Sequence, residues 1–337
     1  MTTFKWGVAG LKGGAGNLYD GYASWLNRKV IWAEDTTPNN TWDNVETEKW
    51  FLQPWSDWVN AVPGRRLVLS VPIIPGGWDG KGTTGGTGAN VPLSLEDGAK
   101  GLYNDHYRKL AENLVKYKLG NSVLRLGWEW TGSWYAWRAN NAEKAEAFAG
   151  YFRQIVTTMR AVPGAENLKF DWNVAMVWIG FPIEKAWPGD DVVDYVGVDV
   201  YDDSWMDGTY PLPKDATPEE AAARRDKVWK DLIQSKSKFG LPFWVEFAAK
   251  HGKPLTIPEW GVDNRKDGHS GLDDPAYVER MYRFIQDPAN NVYYHGEFDV
   301  QAGDGHHQLS PNPDGTVVTE FPNAAAKFKE LYALPPG

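Results

Sequence analysis

The sequence predicts a single (β/α)8 barrel, and three features of the 337-residue chain support this fold. Short apolar runs, typical of strands buried on both faces, alternate with longer segments of helical periodicity. Eight such strand-then-helix units follow one another without a break in composition, so we expect one domain over residues 1–337. A doubly wound sheet is the alternative fold, but it usually has fewer units and a glycine-rich dinucleotide turn that this chain lacks.

The eight strands are read from apolar runs that are too short to be helices. In chain order we expect them at Phe4–Gly10, Lys29–Ala33, Arg66–Val71, Val123–Gly127, Phe170–Val177, Val192–Val200, Leu255–Pro258 and Val292–His295.

The helices are read from apolar residues three and four positions apart and from their capping signals. Thr217-Pro218-Glu219-Glu220 combines a capping box with proline at the first helical position, and Asp274-Pro275 begins another helix. Pro63-Gly64 ends an earlier one. The remaining helical patterns cover Leu18–Asn27, Thr47–Val62, Tyr103–Tyr117, Phe148–Met159, Phe243–Lys250 and Pro322–Tyr332.

Composition excludes several classes of partner and site. The net charge of −9, without a dense Lys/Arg block, argues against nucleic acid or an anionic membrane as the main partner. The chain has no cysteine, which excludes disulfides and thiolate metal sites. No apolar run approaches the roughly 20 residues that span a bilayer. Nineteen tryptophans and fifteen tyrosines exceed what a core of this size needs, so some of them are expected to line a binding surface.

One low-complexity segment, Pro75–Asn90, is rich in Gly and Thr and is expected to form a loop after the third strand. Gly80-Lys81 within it does not make a phosphate-binding loop, because Gly82 stands where that motif needs Ser or Thr. We therefore expect neither a cofactor nor a bound metal.

Two glutamates stand at strand ends, where barrel enzymes carry their catalytic residues. Glu129 follows the fourth strand among four tryptophans, and Glu259 follows the seventh, next to Trp260. Strands four and seven lie across the barrel mouth from each other, so these carboxyl groups can meet. A pair about 5–5.5 Å apart is what a retaining glycosidase needs. Apolar surroundings favour protonated Glu129 as the acid, which leaves Glu259 as the nucleophile.

Neighbouring residues suit those two roles. Arg125, four positions before Glu129, is expected to point into the barrel and to hold Glu259 ionised, or else to pair with Asp199. Tyr201 shares a face with Asp199 at the end of the sixth strand, where its hydroxyl can bond the nucleophile or its ring can pack on the barrel rim.

Other polar groups near the predicted mouth are assigned weaker roles. The acids after strands two and eight are expected to contact sugar hydroxyls: Glu34, Asp35, Glu297 and Asp299. His306 and His307 beside Asp304 lack a third spaced metal ligand.

Three segments resemble glycoside hydrolase family 26, a family of retaining (β/α)8 enzymes that includes β-mannanases, mixed-linkage glucanases and β-1,3-xylanases. Arg125–Trp137 resembles its acid/base segment, Val198–Tyr201 its sixth strand, and His251–Gly261 its nucleophile strand. The resemblance implies Glu129 as acid/base, Glu259 as nucleophile, Trp134 as a sugar-stacking residue and Tyr201 as the hydrogen-bond partner of the nucleophile. The sugar-binding residues expected here are Trp128, Trp134, Tyr201, Arg125, Trp260 and Asp199.

The chain departs from the family pattern at two places. Trp128 stands where the family usually has His, and the eighth strand offers Tyr293-Tyr294-His295-Gly296-Glu297 instead of the Trp often found in the clan. Both changes are expected to alter the wall that contacts the sugar, which leaves the glycan unassigned.

The function expected from these observations is that of a retaining endo-β-glycanase acting on a mannan-like or other β-glycan. The alternatives are an exo-acting glycosidase or transglycosylase on an unusual microbial glycan, and a non-catalytic glycan-binding barrel. We expect a monomer that binds polysaccharide or oligosaccharide, and neither nucleic acid nor membrane. The N-terminal residues contain no secretory apolar segment, yet the expected substrate favours an extracellular location.

Overall fold

The computed structural model describes residues 4–6, 15–76, 92–311 and 318–333, and these ranges form a closed barrel of eight parallel strands. Each barrel strand pairs with the next barrel strand along the chain, and the first also pairs with the last, which closes the ring. Most of the glycine-rich segment predicted as a loop after strand three lies outside the described residues. The barrel strands are β1 (Phe4–Trp6), β2 (Trp32–Thr36), β3 (Arg66–Val71), β4 (Val123–Leu126), β5 (Lys169–Ala175), β6 (Tyr195–Tyr201), β7 (Leu255–Gly261) and β9 (Val292–Glu297).

The α-helices follow the strands and cover the outside of the barrel, as the alternating pattern predicts. They are α1 (Ala15–Leu26), α2 (Trp42–Glu46), α3 (Lys49–Ala61), α4 (Leu95–Ala99), α5 (Asn104–Lys116), α6 (Ala142–Arg160), α7 (Pro218–Val228), α8 (Leu241–Lys250), α9 (Pro275–Gln286) and α10 (Pro322–Tyr332). The predicted caps are present: Thr217 accepts a hydrogen bond from the Glu220 amide, and Asp274 from the Ala276 amide. None of the helices in the described ranges is both long and apolar enough to cross a bilayer.

The outer apolar layer of the core lies between the sheet and the helices. Trp172 on β5 packs against Trp244 and Phe247 of α8, with ring centroids 6.2 and 5.6 Å apart. Full burial of a large apolar side chain stabilises the fold by about 1.5–3 kcal/mol.

The inside of the barrel is unusually polar. Side chains that alternate with the apolar ones along each strand point inward, and several are charged or can donate hydrogen bonds. Their burial is nearly complete, so each needs partners within the barrel. They include Ser70, Arg125, Asp171, Asn173, Asp199 and Thr256.

Two strand boundaries bear directly on the site. Strand β7 continues through Gly261 and not only to Pro258, so Glu259 lies within a strand. Strand β4 ends at Leu126, and residues 127–129 form a turn. The two-residue strands β8 (Asn264–Arg265) and β10 (Gly305–His306), which the sequence did not predict, pair antiparallel beyond the ends of β7 and β9.

Candidate active site

The turn after β4 places Glu129 at the barrel mouth. Gly127 and Glu129 both adopt left-handed backbone conformations, with φ angles of 55° and 50°. For a residue with a side chain this conformation costs about 1–3 kcal/mol and persists only where the surroundings impose it. The Glu129 amide donates to Asn173 Oδ1 at 3.0 Å, and its carbonyl accepts from the Gly132 amide at 2.9 Å. Glu129 is thus positioned by its backbone and not by strand alternation.

The carboxyl groups of Glu129 and Glu259 converge, together with that of Asp199. One oxygen from each of the three lies within 4.8 Å of the other two. A pair this close matches the separation of about 5–5.5 Å in retaining glycosidases, whereas inverting enzymes need about 6.5–9.5 Å.

Glu259 accepts hydrogen bonds at both carboxylate oxygens. Arg125 Nη1 donates to Oε1 at 2.8 Å, and the Tyr201 hydroxyl donates to Oε2 at 2.7 Å. The Glu259 amide also donates to Asp199 Oδ1 at 3.2 Å. These contacts fix the orientation of the carboxylate and stabilise its charge, as a nucleophile requires.

Glu129 has different surroundings. Burial and, to a smaller extent, the nearby negative charge of Glu259 raise its pKa to about 8. Trp134 Nε1 donates to Glu129 Oε2 at 2.9 Å, a contact that acts in the opposite direction. The environment therefore favours a protonated carboxyl at neutral pH, which is the form that a general acid needs.

Asn173 on β5 connects the two glutamates, and sequence reasoning did not identify it. Its Oδ1 accepts from the Glu129 amide and from Arg125 Nη2, both at 3.0 Å. Its Nδ2 donates to Asp199 Oδ1 at 2.9 Å, and that same oxygen accepts from the Glu259 amide. One side-chain amide thus ties together the backbones of both glutamates. The sequence signal for Asn173 is that polar Asp171 and Asn173 alternate with apolar residues in a buried strand.

Arg125 is surrounded by several acids. Its guanidinium contacts Glu259, Asp199 and Glu34, so both pairings considered for it from the sequence occur together. Burial raises the pKa of Glu34 to about 8, and burial also raises the pKa of Asp199 well above its usual range.

Two of these acids, Asp199 and Glu259, form with Glu129 a cluster in the described residues that is compact enough to ligate a cation. Arg125 already donates to two of these three carboxylates and supplies a positive charge at that place.

The prediction that Trp260 binds sugar is wrong. Trp260 follows Glu259 directly in β7, so strand alternation turns its ring outward. The ring is completely buried, packs 5.9 Å from Phe328, and its Nε1 donates to His295 Nδ1 at 3.1 Å. A sugar in the mouth cannot reach it.

Three further residues expected to bind sugar lie below the surface. Arg125 and Asp199 are buried beneath the glutamates and position them, so they do not contact sugar. Trp128 is also buried; its ring lies 4.9 Å from Tyr135, and its Nε1 donates to the Tyr135 hydroxyl at 3.0 Å. Trp128 therefore supports Tyr135 from behind, whereas Tyr201 and Trp134 contact the glutamates directly.

The acids after strands two and eight do not line the mouth either. Asp35 accepts from Trp55 Nε1 at 2.9 Å, and Tyr22 donates to Glu297 at 3.3 Å. All four of these acids are buried: Glu34, Asp35, Glu297 and Asp299.

The unusual eighth strand does not form the predicted sugar wall. Tyr293 and Tyr294 begin β9 at the opposite end of the barrel, and Tyr294 bonds to buried Asp171. His295 turns outward to Trp260. Of the two other histidines considered as ligands, His306 pairs with Glu320 and His307 is buried, which lowers its pKa to about 4.

Exposed tryptophans follow three consecutive strands of the barrel. Trp134 comes after β4, Trp178 after β5 and Trp205 after β6, and they are 43%, 69% and 57% exposed. Because loops at the C-terminal ends of the strands form the mouth, these rings lie on the side of the barrel that includes Glu129.

Comparison with known proteins agrees with this geometry. Residues 90–211, which include β4, Glu129, Asn173 and Tyr201, match the sequence model of glycosyl hydrolase family 26. This part of the chain is therefore similar to glycosyl hydrolase family 26. The resemblance seen in the acid/base segment and the sixth strand is thereby confirmed.

Two glycan-hydrolysing relatives match this chain over about half of its length. A mannan endo-1,4-beta-mannosidase of Bifidobacterium adolescentis is 28% identical over 194 residues, which are 55% of this chain and 17% of the relative. A beta-1,3-xylanase of an Alcaligenes species is 29% identical over 175 residues, 51% of this chain and 29% of that protein. The chain thus matches less than a third of the length of either relative.

The fold is that of solved family 26 structures. The catalytic domain of the endo-beta-1,4-mannanase from Bacillus sp. JAMB-750 superposes with a TM-score of 0.61 at 15% sequence identity. That match covers 99% of this chain and 87% of the mannanase domain. The predicted (β/α)8 barrel is confirmed.

Proposed function

We propose that this protein is a retaining endo-β-glycanase that hydrolyses β-glycosidic bonds of a polysaccharide by double displacement. The observation that supports this most directly is the pair Glu129 and Glu259, whose nearest carboxyl oxygens lie within 4.8 Å of each other. The two carboxyl groups have different environments, one favouring the acid and the other the carboxylate, as the two-step reaction requires.

In the first step, protonated Glu129 donates its proton to the glycosidic oxygen as the bond between that oxygen and the anomeric carbon breaks. A Glu259 oxygen forms a new bond to the anomeric carbon on the opposite side, giving a glycosyl ester. Arg125 and Tyr201 hold Glu259 in position for this attack. The leaving-group sugar departs as an alcohol.

In the second step, Glu129, now a carboxylate, removes a proton from a water molecule. The water oxygen attacks the anomeric carbon, and Glu259 leaves with its original charge. Two inversions give a product with the configuration of the substrate.

A neutral β-glycan suits this site better than a polyuronate. Glu259 is the carboxylate that the proposed reaction needs in its charged form, and this negative charge at the mouth would repel a chain of carboxylates. The relatives named above, a mannosidase and a xylanase, act on glycans of this neutral class. Since a polymer of this kind does not enter cells, we propose that the enzyme acts outside the cell that makes it, as a monomer.

The test is to assay Glu129→Ala and Glu259→Ala on β-1,4-mannan, β-1,3-xylan and mixed-linkage glucan. We expect the wild type to hydrolyse at least one of them and each variant to lose at least about 10²–10⁴-fold in kcat/KM. On a 4-nitrophenyl glycoside, whose leaving group needs no proton from Glu129, azide should rescue both variants. It replaces Glu259 and gives a glycosyl azide of inverted configuration, whereas with Glu129→Ala it attacks the ester and gives the retained one.

A matched control is Glu246→Ala, since Glu246 is an exposed glutamate on α8 that pairs with surface Lys236. This variant should keep wild-type activity. Near-native hydrolysis by either active-site variant would show the assignment to be wrong. Retention is measured independently by NMR, as the anomer released first by the wild type.

A further inference from the structure

Trp205 is a large aromatic side chain at the mouth to which the catalytic scheme gives no role. It stands four residues after Tyr201, whose hydroxyl contacts Glu259. Four residues span at most about 14 Å, so the indole lies within a short stretch of glycan from the cleavage point. The residue is 57% exposed.

The backbone around Trp205 is fixed. Asp203 forms an antiparallel bridge with Ser270, and the Ser204 amide donates to the His269 carbonyl at 3.2 Å. The buried Ser204 hydroxyl accepts from the Met206 amide at 3.1 Å and from the Thr209 hydroxyl at 3.0 Å. The segment is therefore organised before any ligand binds.

The indole ring is also supported by side chains. The His269 ring stacks on it at 5.4 Å with an interplanar angle of 17°, and Arg265 Cζ lies 5.0 Å from its centroid. Arg265 is itself held by Asp267 at 3.1 Å and Asp304 at 3.2 Å. Even with these contacts, more than half of the residue's surface remains open. A rigid, exposed indole beside a cleft suits a ligand that presents a flat face of C–H groups, which is the face of a pyranose.

We propose that Trp205 is the stacking platform for a sugar on the leaving-group side of the scissile bond, an inference that rests on the proposed function. The side is inferred from Glu129, the residue that protonates the leaving group. Asp203, two positions before Trp205, is among the charges that act on Glu129. The segment that carries Trp205 starts from Tyr201, which contacts the glutamate pair, and its Asp203 charge acts on the acid.

The test compares two kinds of substrate. β-1,4-Mannohexaose and β-1,3-xylohexaose place sugars on both sides of the cleavage point, whereas the corresponding 4-nitrophenyl oligosaccharides leave only nitrophenol on the leaving-group side. For Trp205→Ala we expect kcat/KM on the hydrolysed hexasaccharide to fall about ten- to hundredfold, as for loss of one important aromatic contact. Hydrolysis of the nitrophenyl substrate should be unchanged, and Trp205→Phe should recover part of the loss.

The matched control is Tyr293→Ala. Tyr293 is 47% exposed and stacks on Tyr195 at 4.9 Å, but it lies at the opposite end of the barrel. This variant should hydrolyse both kinds of substrate normally. Unchanged hexasaccharide hydrolysis by Trp205→Ala would overturn the proposal, and so would an equal loss on both substrates.

A binding measurement separates this proposal from the proposed function. Calorimetry with the same two hexasaccharides compares Glu259→Ala with Glu259→Ala/Trp205→Ala. Weaker binding by the double variant supports the platform even if the wild type hydrolyses neither sugar, in which case only the catalytic assignment fails. Equal affinity of the two variants, or binding by neither, overturns the platform.

Discussion

At the scale of single residues, the two glutamates differ in what holds them. Glu259 is oriented through its side chain, by Arg125 and Tyr201, whereas Glu129 is oriented through its backbone, by Asn173. A nucleophile needs a fixed carboxylate, while an acid/base must exchange protons with sugar and water. Under the proposed function, the residue that changes its protonation state is thus the one whose carboxyl accepts fewer hydrogen bonds from the described residues.

The raised pKa of Glu129 predicts how activity depends on pH. Since the protonated form starts the reaction, kcat/KM should fall as pH rises through about 8, where Glu129 ionises. Trp134→Phe removes the hydrogen bond that favours the ionised form of Glu129. The alkaline decline of kcat/KM should therefore occur at higher pH in this variant. The measurement is the pH profile of kcat/KM for both proteins. A decline that begins near pH 4.5 would contradict the prediction.

Asn173→Ala removes the amide that links both catalytic backbones. We expect kcat to fall about 10²-fold with a small change in KM, because the glutamates lose alignment while the sugar-binding surface stays. The matched variant is Asn113→Ala, which removes an equally buried amide that donates to the Glu46 and Thr47 carbonyls outside the barrel. That variant should lose stability and keep kcat. Equal kcat losses in both would assign Asn173 a merely structural role.

At the scale of elements, β6 carries a glycine whose position is set by the site. A Cβ on Gly197 would lie 2.3 Å from Asp171 Oδ1 and 3.0 Å from Asn173 Nδ2. Neither neighbour can retreat, since both are buried within the barrel. The missing side chain therefore makes room for the polar layer under the catalytic residues.

Gly197→Ala should accordingly affect both stability and activity. We expect the free energy of unfolding to fall by about 1–3 kcal/mol and kcat to fall as Asn173 is displaced. Denaturant unfolding and steady-state kinetics measure the two effects. Gly303→Ala, at a site with no heavy atom within 4 Å of the added Cβ, should change neither. A fully active, stable Gly197→Ala protein would contradict this account.

The elements also show what could be predicted from the sequence. Long-range periodicity and caps predicted the barrel, and strand-end position predicted that Glu129 and Glu259 lie close together, as they do in the structure. Alternation along β7 from inward-facing Glu259 places the Trp260 ring on the outer face of the barrel. The end of β4 at Leu126 could not be predicted, because it depends on two left-handed residues, one of them a glutamate. Strands β8 and β10 have two residues each and are too short for any periodicity.

At the scale of the whole molecule, the barrel interior contains buried acids whose pKa values are raised. Burial raises the pKa of Glu34, which faces Arg125 and Glu259, to about 8. A glutamate with a raised pKa contributes stability that is fully present below the pKa of the unfolded chain, 4.5, and is lost as pH rises through 8. Part of the fold's stability should therefore decline toward alkaline pH.

Glu34→Gln tests this, because glutamine imitates the protonated acid at every pH. Between pH 6 and pH 9, the Tm of the wild type should fall relative to the Tm of Glu34→Gln, as measured by calorimetry. The exposed change Glu246→Gln should leave that difference flat. A difference in Tm that stays flat from pH 6 to pH 9 would contradict the prediction, because it would show that Glu34 does not titrate in this range.

Asn173 bonds to the Glu129 amide, Arg125 and Asp199, so neither glutamate is positioned independently of the other. Copying the two glutamates into another barrel would reproduce neither the orientation of the nucleophile nor the backbone turn of the acid. The smallest unit that can be transplanted is a set of six side chains on four consecutive strands and the turn after the first of them. Its members are Arg125, Glu129, Asn173, Asp199, Tyr201 and Glu259.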